Sequence, residues 1–260
     1  MSGQDVVEAV FKESRRFHVL EGPQNGRNAI HDGLDVFWAR RGDKTRSANM
    51  ALGGRFADAA RGVRETLGVF EGLPFLWFLR PDAEFDATRE AMRDAGFTLE
   101  DDERCMLLEP EDARPAPPPS GFDISEARSV RDLEAFLDAY QAAFHVDDAS
   151  RAAWLAHHAA LLPRRDRMRY LVGRVEGEAI ACGAAFLGAQ AVGVYSVGVA
   201  PAWQRRGFGA AMTWRVVEEG LREGRTRAIL GATPAGKRTY EKLGFRDVGG
   251  LDAWLPPGIA

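Results

Sequence analysis

One stretch of this sequence has the residue types and spacing to hold a phosphate group. Tyr195 to Ala211 reads YSVGVAPAWQRRGFGAA. An apolar strand runs into Val199-Ala200-Pro201, a short basic turn follows at Gln204-Arg205-Arg206, and Gly207 and Gly209 then open a helix. The first N–H groups of a helix have no partner within it, and the helix dipole places positive potential there. Phosphates bind such ends. Glycines let a pyrophosphate approach the backbone closely, and the arginines add charge around it. Further along, Tyr240 stands in Lys237-Arg238-Thr239-Tyr240-Glu241-Lys242-Leu243-Gly244-Phe245. Its phenol is a group that can give up a proton.

The elements that would position these residues can be read from apolar periodicity. Residues 4–18 read as an amphipathic helix with Val6, Val7, Val10, Phe11 and Phe17 to one side. Strands are expected near 34–38, 48–52 and 75–79, helices at 55–67 and 84–94, and a strand at 104–108. The run Phe75–Leu79 is continuously apolar, as in a strand covered on both faces. Gly96 ends the second of those helices. Residues 110–121 carry Pro115, Pro117, Pro118 and Pro119, which reads as a stiff extended linker and the domain boundary. Beyond it come a strand at 122–127, helices at 129–143 and 149–161, and a hairpin turning at Glu176-Gly177. The strand 192–199 follows, then helix 207–222, strand 227–230, helix 235–242 and a last strand at 246–254. Strands alternating with helices predict an α/β (α+β) chain with sheets of mixed direction.

At 260 residues the chain holds one large or two ordinary domains. A net charge of −4 argues against nucleic acid as the main partner. No apolar run approaches the roughly 20 residues of a membrane span, and acids among residues 1–20 argue against a signal peptide. Cys105 and Cys182 stand apart without metal-ligand spacing, which predicts buried thiols in a reducing, cytoplasmic setting and no bound metal.

Taken together, Val197-Gly198-Val199-Ala200-Pro201, the loop Gln204-Arg205-Arg206-Gly207-Phe208-Gly209-Ala210 and Tyr240–Phe245 resemble the GNAT family of acyl-CoA-dependent N-acyltransferases. The resemblance covers roughly residues 121–256. It implies acetyl-CoA as co-substrate and transfer of acetyl to a primary amine by direct attack. It implies that Val197, Gly198 and Val199 hold the pantetheine arm through the backbone. Gln204, Arg205, Arg206, Gly207, Phe208, Gly209 and Ala210 would hold the pyrophosphate, and Thr233 would offer a polar side chain near the cofactor. Tyr240 would be the general acid that protonates the leaving thiolate. The sequence departs from the commoner pattern in one respect: residues 190–199 contain no acid. Glu126, His145, Asp147 and Asp148 are the alternatives for a base, beside a water relay.

The first half repeats the order strand, helix, Gly-Phe, strand over residues 75–110 without the phosphate motif. Setting Gly96-Phe97 against Gly244-Phe245 puts Met92 where Tyr240 stands. The chain therefore resembles a tandem arrangement of two GNAT-like domains. A degenerate one covers residues 1–112, a Pro-rich linker 113–120, and a catalytic one 121–260. The resemblance implies a small-molecule or peptide amine as acceptor, with a monomer or a homodimer equally expected. The rival readings are a non-catalytic acyl-CoA sensor and a dinucleotide-binding fold. The latter lacks an acid at the end of the next strand, Ala228–Gly231. The plainer readings are Trp154 and Trp214 as core, His157-His158 as a helix surface, and Arg164, Arg165 and Arg167 as a solvated loop, with capture of an acidic substrate as the other reading of those arginines, while Tyr195 faces either the acceptor pocket or the core.

Overall fold

The computed structural model describes residues 2–24, 26–42, 48–70, 72–100, 104–145 and 151–258. Two compact units divide the chain, one from residues 1–14 and 105–248, the other from 15–104 and 249–260. Helix α1, Gly3–Glu21, runs across the first division. Each unit has its own mixed sheet flanked by helices.

In the unit of residues 15–104 and 249–260 the strands are β1 (Ala29–Asp32), β2 (Val36–Arg40), β3 (Met50–Gly53), β4 (Leu76–Leu79), β5 (Thr98–Leu99) and, from the chain's end, β13 (Asp252–Leu255). The order is β1-β2-β3-β4-β13-β5. β3 and β4 are parallel and are joined through helix α2, Ala59–Phe70. Helix α3, Asp86–Asp94, follows β4. Phe70, Phe75, Trp77, Met92 and Trp254 form the centre of this core. β4 alternates, with Trp77 and Leu79 buried and Leu76 and Phe78 only partly so, rather than being covered evenly on both faces.

The other unit holds β6 (Arg104–Leu108), β7 (Phe122–Glu126), β8 (Met168–Val175), β9 (Glu178–Leu187), β10 (Ala191–Val199), β11 (Arg227–Ala232) and β12 (Arg246–Gly250). Their order is β12-β6-β11-β10-β9-β8-β7. Helices α4 (Val130–Phe144), α5 (Arg151–Leu161), α6 (Phe208–Arg222) and α7 (Pro234–Lys242) complete it. A capping box between Ser129 and Asp132 starts α4. α6 and α4 lie on opposite faces of the sheet. A Cβ on Gly183 would press on Val216 and Met212 of α6, whereas one on Gly198 would press on Ala143 and Phe144 of α4.

Three expectations need correction. The last strand, read as one over 246–254, is two strands in two sheets. β12 stays with β6, while β13 lies between β4 and β5. Conversely, Arg104–Leu108, read as the end of the first half, belongs to the second sheet. The compact units are therefore not the segments 1–112 and 121–260, because each sheet takes one strand from the opposite part of the chain. The Pro-rich segment is also no free spacer. Arg114 N–H donates to Leu243 O at 3.0 Å, Ala113 and Ala116 pack on the core, and Pro119 lies beside Gly207. Gly244, with φ +97°, is obligatory beneath it: a Cβ there would sit 1.8 Å from Asp112 O.

α6 is tied to the sheet by Glu219, only 3% exposed. Its carboxylate meets Arg169 of β8 and Arg215 and Arg222 of its own helix. Burial works against the charge, but hydrogen bonds from Arg169 and Arg215 outweigh it and hold the carboxyl below its ordinary range. A carboxylate with a lowered folded pKa adds stability that is fully present above its unfolded pKa, about 4.3, and is lost as pH falls through the folded value. Glu219→Gln is expected to lower the unfolding free energy by about 3 kcal/mol at neutral pH. The loss should shrink at pH values below about 4, as read from urea unfolding at a series of pH values. A loss independent of pH would show that shape, not charge, is at stake. A second expectation concerns β13: Trp254 is 2% exposed, with the Arg93 guanidinium 5.3 Å from its ring centre. Trp254→Ala should cost about 3–5 kcal/mol and raise hydrogen exchange at Leu76–Leu79. Unchanged exchange there would contradict the pairing of β13 with β4.

Candidate active site

β10 is the strand on which the sheet opens. It pairs with β11 in parallel only over Ala191–Gly193, against Arg227–Ile229. It pairs with β9 further, to Val199 against Ala181, but the register breaks between Tyr195 and Gly198. Ser196 sits in this bulge at φ +53°. A left-handed conformation costs a non-glycine residue roughly 1–2 kcal/mol, so the surroundings must hold it. The thiol of Cys182, fully buried, donates to Ser196 O at 3.2 Å, and Gly198 O lies 3.9 Å away. Burial pushes the Cys182 thiol up to about 12, so it stays a donor. On the same face of the sheet α4 closes on bare backbone, with Ala143 and Phe144 against Gly198. Tyr140, in ring contact with Phe144 at 4.7 Å, has its phenol pushed up by burial and then by the proximity of Cys182.

Beyond the bulge, Ala200 N–H donates to Ile180 O at 2.8 Å. Because backbone direction alternates along a strand, the N–H groups of Val197 and Val199 point the other way, to the side from which β11 has departed. The Val199 carbonyl accepts from the Gln204 side-chain amide at 3.1 Å. An extended chain of amides could lie along this edge in place of a strand.

The turn that follows is a concavity of backbone donors. A single 3₁₀ turn, Pro201–Trp203, leads to Gln204, and then Arg205 (φ +60°) and Gly207 (φ +88°) are both left-handed. Gly207 is the N-cap of α6 and offers no side-chain cap. The first helical bond runs from Ala211 N–H to Gly207 O at 3.1 Å. The N–H groups of Phe208, Gly209 and Ala210 thus open on the loop, and such successive donors with the dipole behind them suit an anion.

The expected residues fall into distinct positions. Val197, Gly198 and Val199 line the parted edge of β10. Gln204, Arg205, Arg206 and Gly207 are exposed on the turn. Arg205 makes no ion pair among the described residues, while the Arg206 guanidinium lies over Trp203 at 4.8 Å and Phe208 at 5.4 Å. Phe208 turns its ring into the core against Phe122 at 4.8 Å, so only its backbone faces the turn. Gly209 and Ala210 follow on α6, with Gly209 approached by the Val199 side chain. Thr233 is the N-cap of α7, accepting from Gly236 N–H at 3.3 Å, a structural task for its hydroxyl. Tyr240 is half-buried on α7, its ring close to Gly236 and 6.1 Å from Phe245.

The bases considered fare differently. Glu126 is 9% exposed and is held by Arg165 at 2.5 Å and Arg128 at 3.3 Å, so its charge is engaged. His145 is the exposed left-handed C-cap of α4, and Asp147 and Asp148 lie outside the described residues. Three bland expectations change. His157 is buried and His158 bonds the Tyr170 hydroxyl, so this pair is not a helix surface. Trp154 stacks on Phe136 at 5.5 Å and is only partly buried. Arg164, Arg165 and Arg167 pair with Asp166, Glu126 and Glu13 rather than being merely solvated. The Cys182–Ser196 clamp was not legible in sequence, since nothing marks that cysteine as the partner of a bulge.

Residues 133–245 match the profile of the Acetyltransferase (GNAT) family. No curated protein sequence matches the chain. Among solved structures, a GCN5-related N-acetyltransferase from Kribbella flavida superposes with a TM-score of 0.72 at 16% identity, covering 96% of both chains. A GCN5-related N-acetyltransferase from Sphaerobacter thermophilus gives 0.63 at 18% identity, over 86% of this chain and 78% of that one. A GCN5-related N-acetyltransferase-like protein from Streptococcus suis gives 0.58 at 13%, over 94% and 97%. At these identities the likeness is one of fold. The profile match spans α4, the parted strand, the turn and α7, so this part of the chain is similar to the GNAT acetyltransferase family.

Proposed function

We propose that this protein is an acyl-CoA-dependent N-acyltransferase that moves acetyl from acetyl-CoA to a primary amine. The observation that carries the reading is the continuity of β10 with the turn: parted backbone donors at Val197 and Val199 lead straight to the donor cluster at Gly207–Ala210. An extended amide arm ending in a pyrophosphate needs those two features in that order. Acetyl-CoA, when bound, supplies an acyl thioester whose carbonyl carbon an amine can attack. The N–H groups of Val197 and Val199 align the arm, and Val199 can also stabilise the oxygen as charge builds on it. Gln204 yields its hydrogen bond to Val199 O as the arm takes that edge. The turn's N–H groups and Arg205 hold the phosphates. Attack forms the C–N bond and breaks the C–S bond. Tyr240 gives its hydroxyl proton to the departing sulfur, the amine's proton passes to water, and water returns a proton to the Tyr240 oxygen.

The first half we read as a GNAT-like repeat without this machinery. β3-α2-β4 repeats the parallel crossover of β10-α6-β11, but Met92, matching Tyr240, is wholly buried in the core. A second functional reading, a non-catalytic acyl-CoA sensor, is favoured by one observation: β10 bears no carboxylate and Glu126 is engaged by arginines. Kinetics of free-thiol release across a panel of amines, with Tyr240→Phe alongside, separates the two. The enzyme reading expects turnover by the natural chain and a fall of roughly 10²–10⁴-fold in kcat for Tyr240→Phe, with acetyl-CoA affinity retained. No turnover with any amine, despite acetyl-CoA binding, would favour the sensor.

A further inference from the structure

The unit of residues 15–104 and 249–260 contains a cleft of about 480 Å³ between α2 and the β1–β2 hairpin. That volume lies within the range of small-ligand pockets. It does not depend on the acyl-transfer reading, since all its lining belongs to this unit. Asp58, Arg61, Gly62, Glu65, Thr66 and Val69 form its helical wall, spaced as one stripe of a helix. The residues of α2 turned toward its sheet are the buried Gly62, Val63, Thr66 and Phe70, while Asp58, Arg61 and Glu65, each more than half exposed, form a charged, solvent-facing rim of the cleft.

The facing wall is aromatic. His31 and Trp38 are cross-strand partners whose rings stack at 5.5 Å with 21° between planes. Trp38 is braced edge-on by Phe70 at 6.5 Å. Phe56 closes one end and requires Gly62, because a Cβ there would lie 2.2 Å from its ring. The charge on the lining is unequal: Asp35, Asp58 and Glu65 face one guanidinium, Arg61, which is already shared between Asp58 at 3.9 Å and Glu65 at 3.5 Å. Asp35 makes no ion pair among the described residues. A flat aromatic wall suits a planar apolar body, and both the ring face and the surplus carboxylates suit a cation.

We propose that this cleft binds a small organic cation with a flat apolar body, of the arylalkylammonium type, with the body on Trp38 and the ammonium toward Asp35. Titration calorimetry of the full chain with 2-phenylethylammonium, and in parallel with phenylacetate, tests it. The expected result is a Kd of roughly 0.1–1 mM for the cation and at least about tenfold weaker binding of the anion. Trp38→Ala and Asp35→Lys should each weaken the cation by about tenfold. Should Trp38→Ala fail to fold, Asp35→Lys, on an exposed turn, decides alone. Absence of cation binding, equal binding of both ions, or unchanged binding in the folded variants would overturn the proposal.

Discussion

The site depends on one strand being made to leave its neighbour. β10 stays with β9 through a bulge and parts from β11 after Gly193. The parting is sustained by a residue held in an unfavourable conformation, Ser196, and by what presses on it. The Cys182 thiol bonds its carbonyl from β9, and the end of α4 rests on the bare backbone of Gly198. A side chain at Gly198 would push α4 away, and loss of the thiol would leave a buried carbonyl without that donor. The bulge is therefore held by packing on the α4 face of the sheet.

The turn after β10 depends on the same logic of fixed backbone. Left-handed Arg205 and Gly207 aim the first donors of α6 outward. α6 is fixed by Glu219 and its arginines, by Gly183 and Gly220 allowing close approach to β9 and β10, and by Phe208 against Phe122. The Pro-rich segment supports both sides of the site, touching Gly207 through Pro119 and the end of α7 through Arg114. Tyr240 and the turn before α6 are thus both positioned by packed helices.

Much of this was legible because local chemistry forces it. The glycines after a basic turn predicted the start of α6, and the elements from 122 to 242 lie within a few residues of their expected bounds. The fold class, mixed sheets with flanking helices, followed from the same alternation. What was not legible is non-local. Nothing in Arg246–Leu255 says that its two halves enter different sheets, since both have strand propensity and only Leu251 lies between them. Prolines at 115–119 fix local stiffness, not whether the segment packs, and the contact with Gly207 comes from tertiary structure. Glu126, expected as an acid at the end of a strand, is engaged by an arginine distant in sequence, and Thr233, expected near the cofactor from the family resemblance, also caps a helix N-terminus.

In the proposed function the parted edge of β10 and the turn before α6 form one continuous acyl-CoA site. Residue-resolved hydrogen exchange with and without acetyl-CoA tests it most directly. Amides of Val197, Val199 and Phe208–Ala210 are expected to gain protection together, while those of the β8–β9 hairpin do not change. Protection confined to other residues, or none at saturating acetyl-CoA, would contradict it.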